Sequence, residues 1–255
     1  TEGDEYASAN WYHLNNTREN LGANYTLTEN LDSTTKDYGD VHDDQKGFAP
    51  IGDSSTRFTG TFDGNGSTIA DLTINRSSDN DIGLFSYAGD GAVITNVTLE
   101  SVTVNGSAQV GALVGNMGEA NVTGTTASGT VNGEHTMGGL IGVNNGFVSA
   151  SNATVTVTGT GAAGGGGVGG LVGTNQNDGL IIRSQAHGNV TTGEFGYGGG
   201  LVGSNANGTV NRSKATGTVT GDILVGGLVG ANGDINGNSG VVTESNATGT
   251  VTGDI

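Results

Sequence analysis

The sequence predicts an all-β fold, a right-handed parallel β-helix (β-solenoid) of about seven coils of about 29 residues each, with a small N-terminal cap containing a short helix. Three observations carry this. A Gly-Gly-Leu-Val-Gly element recurs at a near-constant interval. A second element follows each copy and alternates with period two. Glycine makes up 50 of the 255 residues, with a single proline, in a pattern that is neither collagen nor linker.

The first element reads Val110-Gly-Ala-Leu-Val-Gly-Asn116, Met137-Gly-Gly-Leu-Ile-Gly-Val-Asn144, Val168-Gly-Gly-Leu-Val-Gly-Thr-Asn175, Gly198-Gly-Gly-Leu-Val-Gly-Ser-Asn205 and Val225-Gly-Gly-Leu-Val-Gly-Ala-Asn232. Ile82-Gly-Leu-Phe85 is a degenerate first copy. Its leucines, Leu84, Leu113, Leu140, Leu171, Leu201 and Leu228, are spaced 29, 27, 31, 30 and 27 residues apart. One leucine per coil predicts an inner ladder. The flanking glycines are expected to take positive φ and let the backbone turn tightly. Asn144, Asn175, Asn205 and Asn232 each follow the leucine by four residues, which predicts an asparagine stack at a corner.

The second element reads Ser128-Gly-Thr-Val131, Ser151-Asn-Ala-Thr-Val155, Ser184-Gln-Ala-His-Gly-Asn-Val190, Ser213-Lys-Ala-Thr-Gly-Thr-Val219 and Ser245-Asn-Ala-Thr-Gly-Thr-Val251. Ser245, Ala247, Gly249 and Val251 share one face, and Asn246, Thr248 and Thr250 the other, as in a half-buried strand. Thr216 is expected outside and Leu171 inside. A helix is excluded, since each interior glycine would cost close to 1 kcal/mol relative to alanine. Stacked copies then pair in parallel, with right-handed crossovers. At about 4.8 Å per coil, seven coils make a rod of roughly 35 Å.

Residues 1–47 lack the repeat and are read as a cap or lead-in, and 48–255 as the solenoid. A short helix is expected around Ser8 to Glu19 and a strand near Tyr25 to Leu31, covering an otherwise open coil end. The opening Thr1-Glu2-Gly3-Asp4-Glu5 looks like a trimmed start. Val219-Thr-Gly-Asp-Ile223 precedes a leucine motif, and the same string, Val251 to Ile255, closes the sequence where another coil would begin. The expectation is a piece of a longer array or an open end that stacks on another molecule, hence self-association into a filament.

With 25 acidic and 8 basic residues the net charge is −17, which argues against nucleic acid and anionic membranes as partners. It fits a halophilic source or an ordinary acidic extracellular protein. There is no cysteine, so no disulfide, thiolate metal site or thiol catalysis. No apolar run is long enough for a transmembrane helix, and no signal peptide is visible. Twelve Asn-x-Ser/Thr triplets begin at Asn15, Asn24, Asn65, Asn75, Asn96, Asn105, Asn121, Asn152, Asn189, Asn207, Asn211 and Asn246. They predict N-linked glycans on a secreted, cell-surface chain.

The Gly-Gly-Leu-Val-Gly copies resemble the GLUG-motif repeats of large bacterial and archaeal surface proteins. Phe48-Ala-Pro-Ile-Gly52, Phe58-Thr-Gly-Thr-Phe-Asp-Gly-Asn-Gly66 and Ile69-Ala-Asp-Leu-Thr-Ile74 are similar to the coil that leads into such repeats, with Ser67 where a histidine is usual. The stretch from Trp11 to Leu31 looks like the lead-in of archaeal members. The resemblance implies a β-helical adhesin, stalk or filament protein, with no common catalytic residues to carry over.

Candidate sites are few. A polysaccharide lyase or hydrolase needs clustered carboxylates. Glu119, Glu134, Asp178, Glu194, Asp222, Asp234 and Glu244 do not recur at one place on the coil. Beyond residue 101 the only Lys or Arg residues are Arg183, Arg212 and Lys214, so the expectation is a chain that is not an enzyme. Asp37, Asp40, Asp43 and Asp44, beside His42, form an acid-rich loop that is a weak calcium candidate against a solvated loop. Asp63-Gly-Asn-Gly66 reads as a tight turn, and Gly164 to Gly167 as a corner insertion, because no Lys-Ser/Thr follows. The four histidines are scattered, so no zinc site and no cofactor is expected. A structural filament or stalk is the first reading, and an adhesin for glycans or other cells the second.

Overall fold

The computed structural model describes residues 5–43, 45–160, 166–194, 196–233 and 238–253. Among them the chain winds into a β-solenoid of parallel stacked coils, with two short α-helices and one 3-10 turn near the amino-terminal side. The described strands form sheets of nine, thirteen, six and five strands. Nearly every pairing is parallel; the exceptions join His42–Asp43, Gly47–Phe48 and Ile74.

The six-stranded sheet, from Phe85–Ala88 to Val229–Ala231, sets the count at about six turns, one fewer than expected. The segment after Phe48, read as a full coil, reaches that sheet only through two isolated bridges, Ile51 to Phe85 and Phe58 to Ala88.

The turn before each leucine explains the motif's composition. None of the glycines flanking Leu140, Leu171, Leu201 and Leu228 has positive φ, so the expected reason for them is corrected. Their role is close approach. A methyl on Gly169 would collide with the carbonyl of Val172 within the same turn. One on Gly170 would collide with the carbonyl of Gly200, one coil on. One on Gly173 would meet the Gly142 backbone, one coil back.

The second element forms one eight-residue strand in each of three coils, Thr98–Asn105, Thr126–Gly133 and Asn152–Gly159. In later coils it splits in two, as Lys214–Ala215 and Val219–Gly221 illustrate. Gly188, Gly217 and Gly249 sit at the break, where a side chain would strike the neighbouring coil's backbone.

The lead-in packs as the pattern suggests. Helix α1 (Trp11–Asn16) is capped by Asn10, whose side-chain oxygen accepts from the His13 amide at 2.8 Å. Trp11 and Leu14 face inward. The Trp11 indole N–H donates to the Asp32 carbonyl at 2.8 Å, and its ring meets the edge of His42 at 4.6 Å. Strands Glu5–Ser8 and Asn24–Leu27 start the nine-stranded sheet that runs on into the coils.

Candidate functional site

The interior is built from columns, one residue per coil. Leu84, Leu113, Leu140, Leu171 and Leu201 are fully buried, and Leu228 is half-buried. Their backbones bond coil to coil as well: the amides of Leu113, Leu140, Leu171 and Leu201 each donate to the carbonyl of the next leucine at 2.9–3.0 Å.

A polar column runs beside them. Asn144 Nδ2 donates to Asn175 Oδ1 at 2.6 Å, Asn175 Nδ2 to Asn205 Oδ1 at 2.9 Å, and Asn205 Nδ2 to Asn232 Oδ1 at 2.8 Å. The first three asparagines are fully buried. Met117 holds the equivalent place one coil earlier, so the column begins at Asn144.

Two further columns were not recognised from sequence. In one, the amides of Thr125, Ser151, Ser184 and Ser213 donate to the hydroxyls of Ser151, Ser184, Ser213 and Ser245, at 3.0–3.3 Å. Each serine hydroxyl in turn donates to the carbonyl two residues back. Ser128, the serine of the first copy, lies off the column, opposite Thr154. The other runs through Tyr25, Phe62, Ile94, Val122, Val148, Ile181, Val210 and Val242. Its signal was one apolar residue centred in each short triplet, too brief to read as a repeat.

The outer surface carries the sequons. Asn65, Asn75, Asn96, Asn121, Asn189, Asn207 and Asn246 are exposed, and Asn15, Asn24, Asn105, Asn152 and Asn211 half-buried. Several amide nitrogens already serve the fold. Asn105 Nδ2 donates to Asn75 Oδ1, Asn96 Nδ2 to Asp63 Oδ1, and Asn211 Nδ2 to Thr243 Oγ1. Thr216, expected outside, is half-buried and bonds His187 Nδ1 at 2.7 Å.

The described acids of the acid-rich loop make separate contacts. Asp37 precedes a short helix (α2, Tyr38–Val41) without a side-chain capping bond, and lies 3.9 Å from Lys36. Asp43 turns back to accept from the amides of Gln45 and Lys46, which hold its carboxyl below the usual range. Asp40 is exposed, and Asp44 lies outside the described residues. Among the described residues no three His, Asp or Glu come together to hold a metal ion. Asp63 accepts from the Asn65 amide at 2.8 Å, and Asn65 and Gly66 take positive φ, as a tight turn requires. Asp234, Gly164 and the terminal residues 1–4 and 254–255 also lie outside the described residues. No helix among the described residues is long and apolar enough to cross a membrane.

The columns, the sheet register and the stacked corners define an all-β parallel solenoid. No family model matches the chain. Halomucin of Haloquadratum walsbyi is 43% identical over 100 residues, which is 39% of this chain and 1% of halomucin. A protein of Evansella cellulosilytica, provisionally named a Gly-rich membrane protein, is 38% identical over 121 residues, or 46% of this chain and 14% of its own. The chain therefore spans only a small part of either relative.

Among solved structures, an IgA1 protease covers 98% of this chain and 20% of its own, with TM-score 0.69 and 18% identity. A Bacteroides ovatus chain, provisionally named an immunoglobulin A1 protease, covers 98% and 79%, with TM-score 0.75 and 19% identity. At such identities the likeness is one of fold. It still corrects an expectation drawn from sequence, that the chain is not an enzyme. Chains bearing a protease's name share this solenoid, and the scatter of carboxylates along the coils bears on polysaccharide cleavage, not on proteolysis.

Proposed function

We propose that the chain is a segment of an extracellular or surface-attached structural protein, in which the solenoid acts as a stiff spacer. The observation that carries this is the set of inner columns, which continue through the stacked coils while all twelve sequon asparagines stay out of the core. A stack bonded coil to coil along its axis resists bending and extension as one body. The relatives named halomucin and Gly-rich membrane protein, and the resemblance to GLUG-type arrays, support a surface location. Antibody labelling of intact source cells tests it. Labelling without permeabilisation is expected, and labelling only of lysed cells would overturn it.

The filament belongs to the same reading. Val241, Val242 and Val251 of the last described coil are 51%, 37% and 43% exposed. A further coil, of this chain or of another copy, would cover them. Light scattering of the purified chain is expected to show particles that lengthen with concentration. A constant monomer would remove self-association and leave the spacer. N-linked glycans on the exposed sequons would appear as added mass in the native protein, with Asn121 and Asn246 the most accessible, since neither side chain bonds within the fold.

A further inference from the structure

A cavity of about 220 Å³ lies between the strand Glu5–Ser8 and the α1 helix with the turn that follows it. Two aromatic rings form part of its wall. Tyr25 is held in place, its hydroxyl donating to the Asn20 carbonyl at 2.9 Å. Tyr6 stacks on it, with centroids 5.3 Å apart and planes 22° from parallel, and remains 44% exposed. Polar groups of the lining residues are unspent. Ser8 is 1% exposed, and its hydroxyl has no hydrogen-bond partner. His13 accepts the Ala9 amide on Nδ1 at 3.4 Å, which leaves Nε2 as the N–H donor. The side chains of Asn16 and Asn20 line the cavity and make no hydrogen bond within the described protein.

We infer that this cavity is a binding subsite for one neutral pyranose unit, a hexose or an N-acetylhexosamine. A pyranose presents an apolar C–H face that stacks on tyrosine, and a rim of hydroxyls that both donate and accept. The lining supplies both kinds of group: the rings of Tyr6 and Tyr25, and the imidazole of His13 with the amides of Asn16 and Asn20. Its volume suits one sugar ring rather than a drug-sized ligand. The carboxylate of Glu19 lines the cavity and the whole chain carries −17, so uronates and sialic acids are repelled. An organic cation would satisfy the rings and Glu19 but not the amides of Asn16 and Asn20. The inference is separable from the spacer reading: a chain absent from the cell surface that still binds sugar sinks that reading and keeps this one.

The test is saturation-transfer NMR and titration of the 255-residue chain with methyl glucoside, methyl galactoside, methyl N-acetylglucosaminide, glucuronate and choline. Saturation of at least one neutral glycoside, with millimolar affinity, is expected. Tyr6→Ala should weaken it roughly tenfold, and Tyr12→Ala, an exposed ring outside the cavity, should not. Asn16→Ala guards against simple misfolding. It removes a side chain that makes no hydrogen bond in the fold, so the melting temperature should hold while affinity falls. Binding of choline or glucuronate alone, no binding of any neutral glycoside, or equal loss in Tyr12→Ala would overturn the subsite.

Discussion

Asn175 donates to Asn205 Oδ1 and to the Gly179 carbonyl and accepts from Asn144, all out of water. Asn175→Leu removes one side chain and strands three buried partners. Each stranded group costs about 1–3 kcal/mol, so a loss of about 3 kcal/mol or more is expected in urea unfolding. Gly170→Ala is expected to cost about 2 kcal/mol by forcing two coils apart, although it favours the extended chain by propensity. At this scale the sequence was readable where one residue type recurs at one offset, as the leucines and asparagines do. It was misread where two physical causes call for the same residue. Glycine serves both positive φ and close approach, and composition alone does not separate them. The serine column is hidden because its first member is Thr125, which donates its amide to the Ser151 hydroxyl and its own hydroxyl to the Thr123 carbonyl, as the serines do.

The lead-in element hangs on Trp11, the single tryptophan, and so reports on itself. His42 lies against Trp11, Tyr38 and Phe48, with Nδ1 at 3.0 Å from the Tyr38 carbonyl and Nε2 without a partner. Burial holds its pKa below the ordinary histidine value, with the Tyr38 bond opposing weakly. The unfolded chain therefore takes up the proton first. Stability is full above about pH 6.5 and is lost as pH falls from there toward the folded pKa. Trp11 fluorescence should show the lead-in loosening over that range, and His42→Gln should flatten the dependence. Asn10→Ala should cost this element about 1 kcal/mol at every pH. Among the strands, Leu171→Asp should abolish cooperative unfolding, while Thr220→Asp on the exposed face changes stability by less than about 0.5 kcal/mol. Equal effects would refute the inward assignment. The short helix and the alternation were visible in sequence, because cap and period are local signals. The break in the later strands was not, because it depends on the backbone one coil away.

Across the whole molecule the charge is nearly unopposed. Among the described residues three ion pairs occur, Lys36–Asp37, Arg76–Asp79 and Arg212–Glu244, and each has at least one partly or wholly solvated partner. Self-repulsion at −17 should therefore fall as salt screens it, and the melting temperature should climb with sodium chloride before levelling off. A melting temperature independent of salt would mean that the acids are already neutralised or dispersed. The period and the parallel stacking were readable because every coil repeats them. The coil number was not, because the stretch after Phe48 has a coil's composition without its register in the six-stranded sheet.

The asparagine column has one more property. Every amide in it hands its hydrogen the same way, from Asn144 toward Asn232, and the serine column does likewise from Thr125 toward Ser245. The stack is thus an arrow, with donors aimed at one end and acceptors at the other. Two such ends meet correctly only tip to tail. Any assembly that prolongs these columns inherits a single direction, with its two extremities chemically unlike.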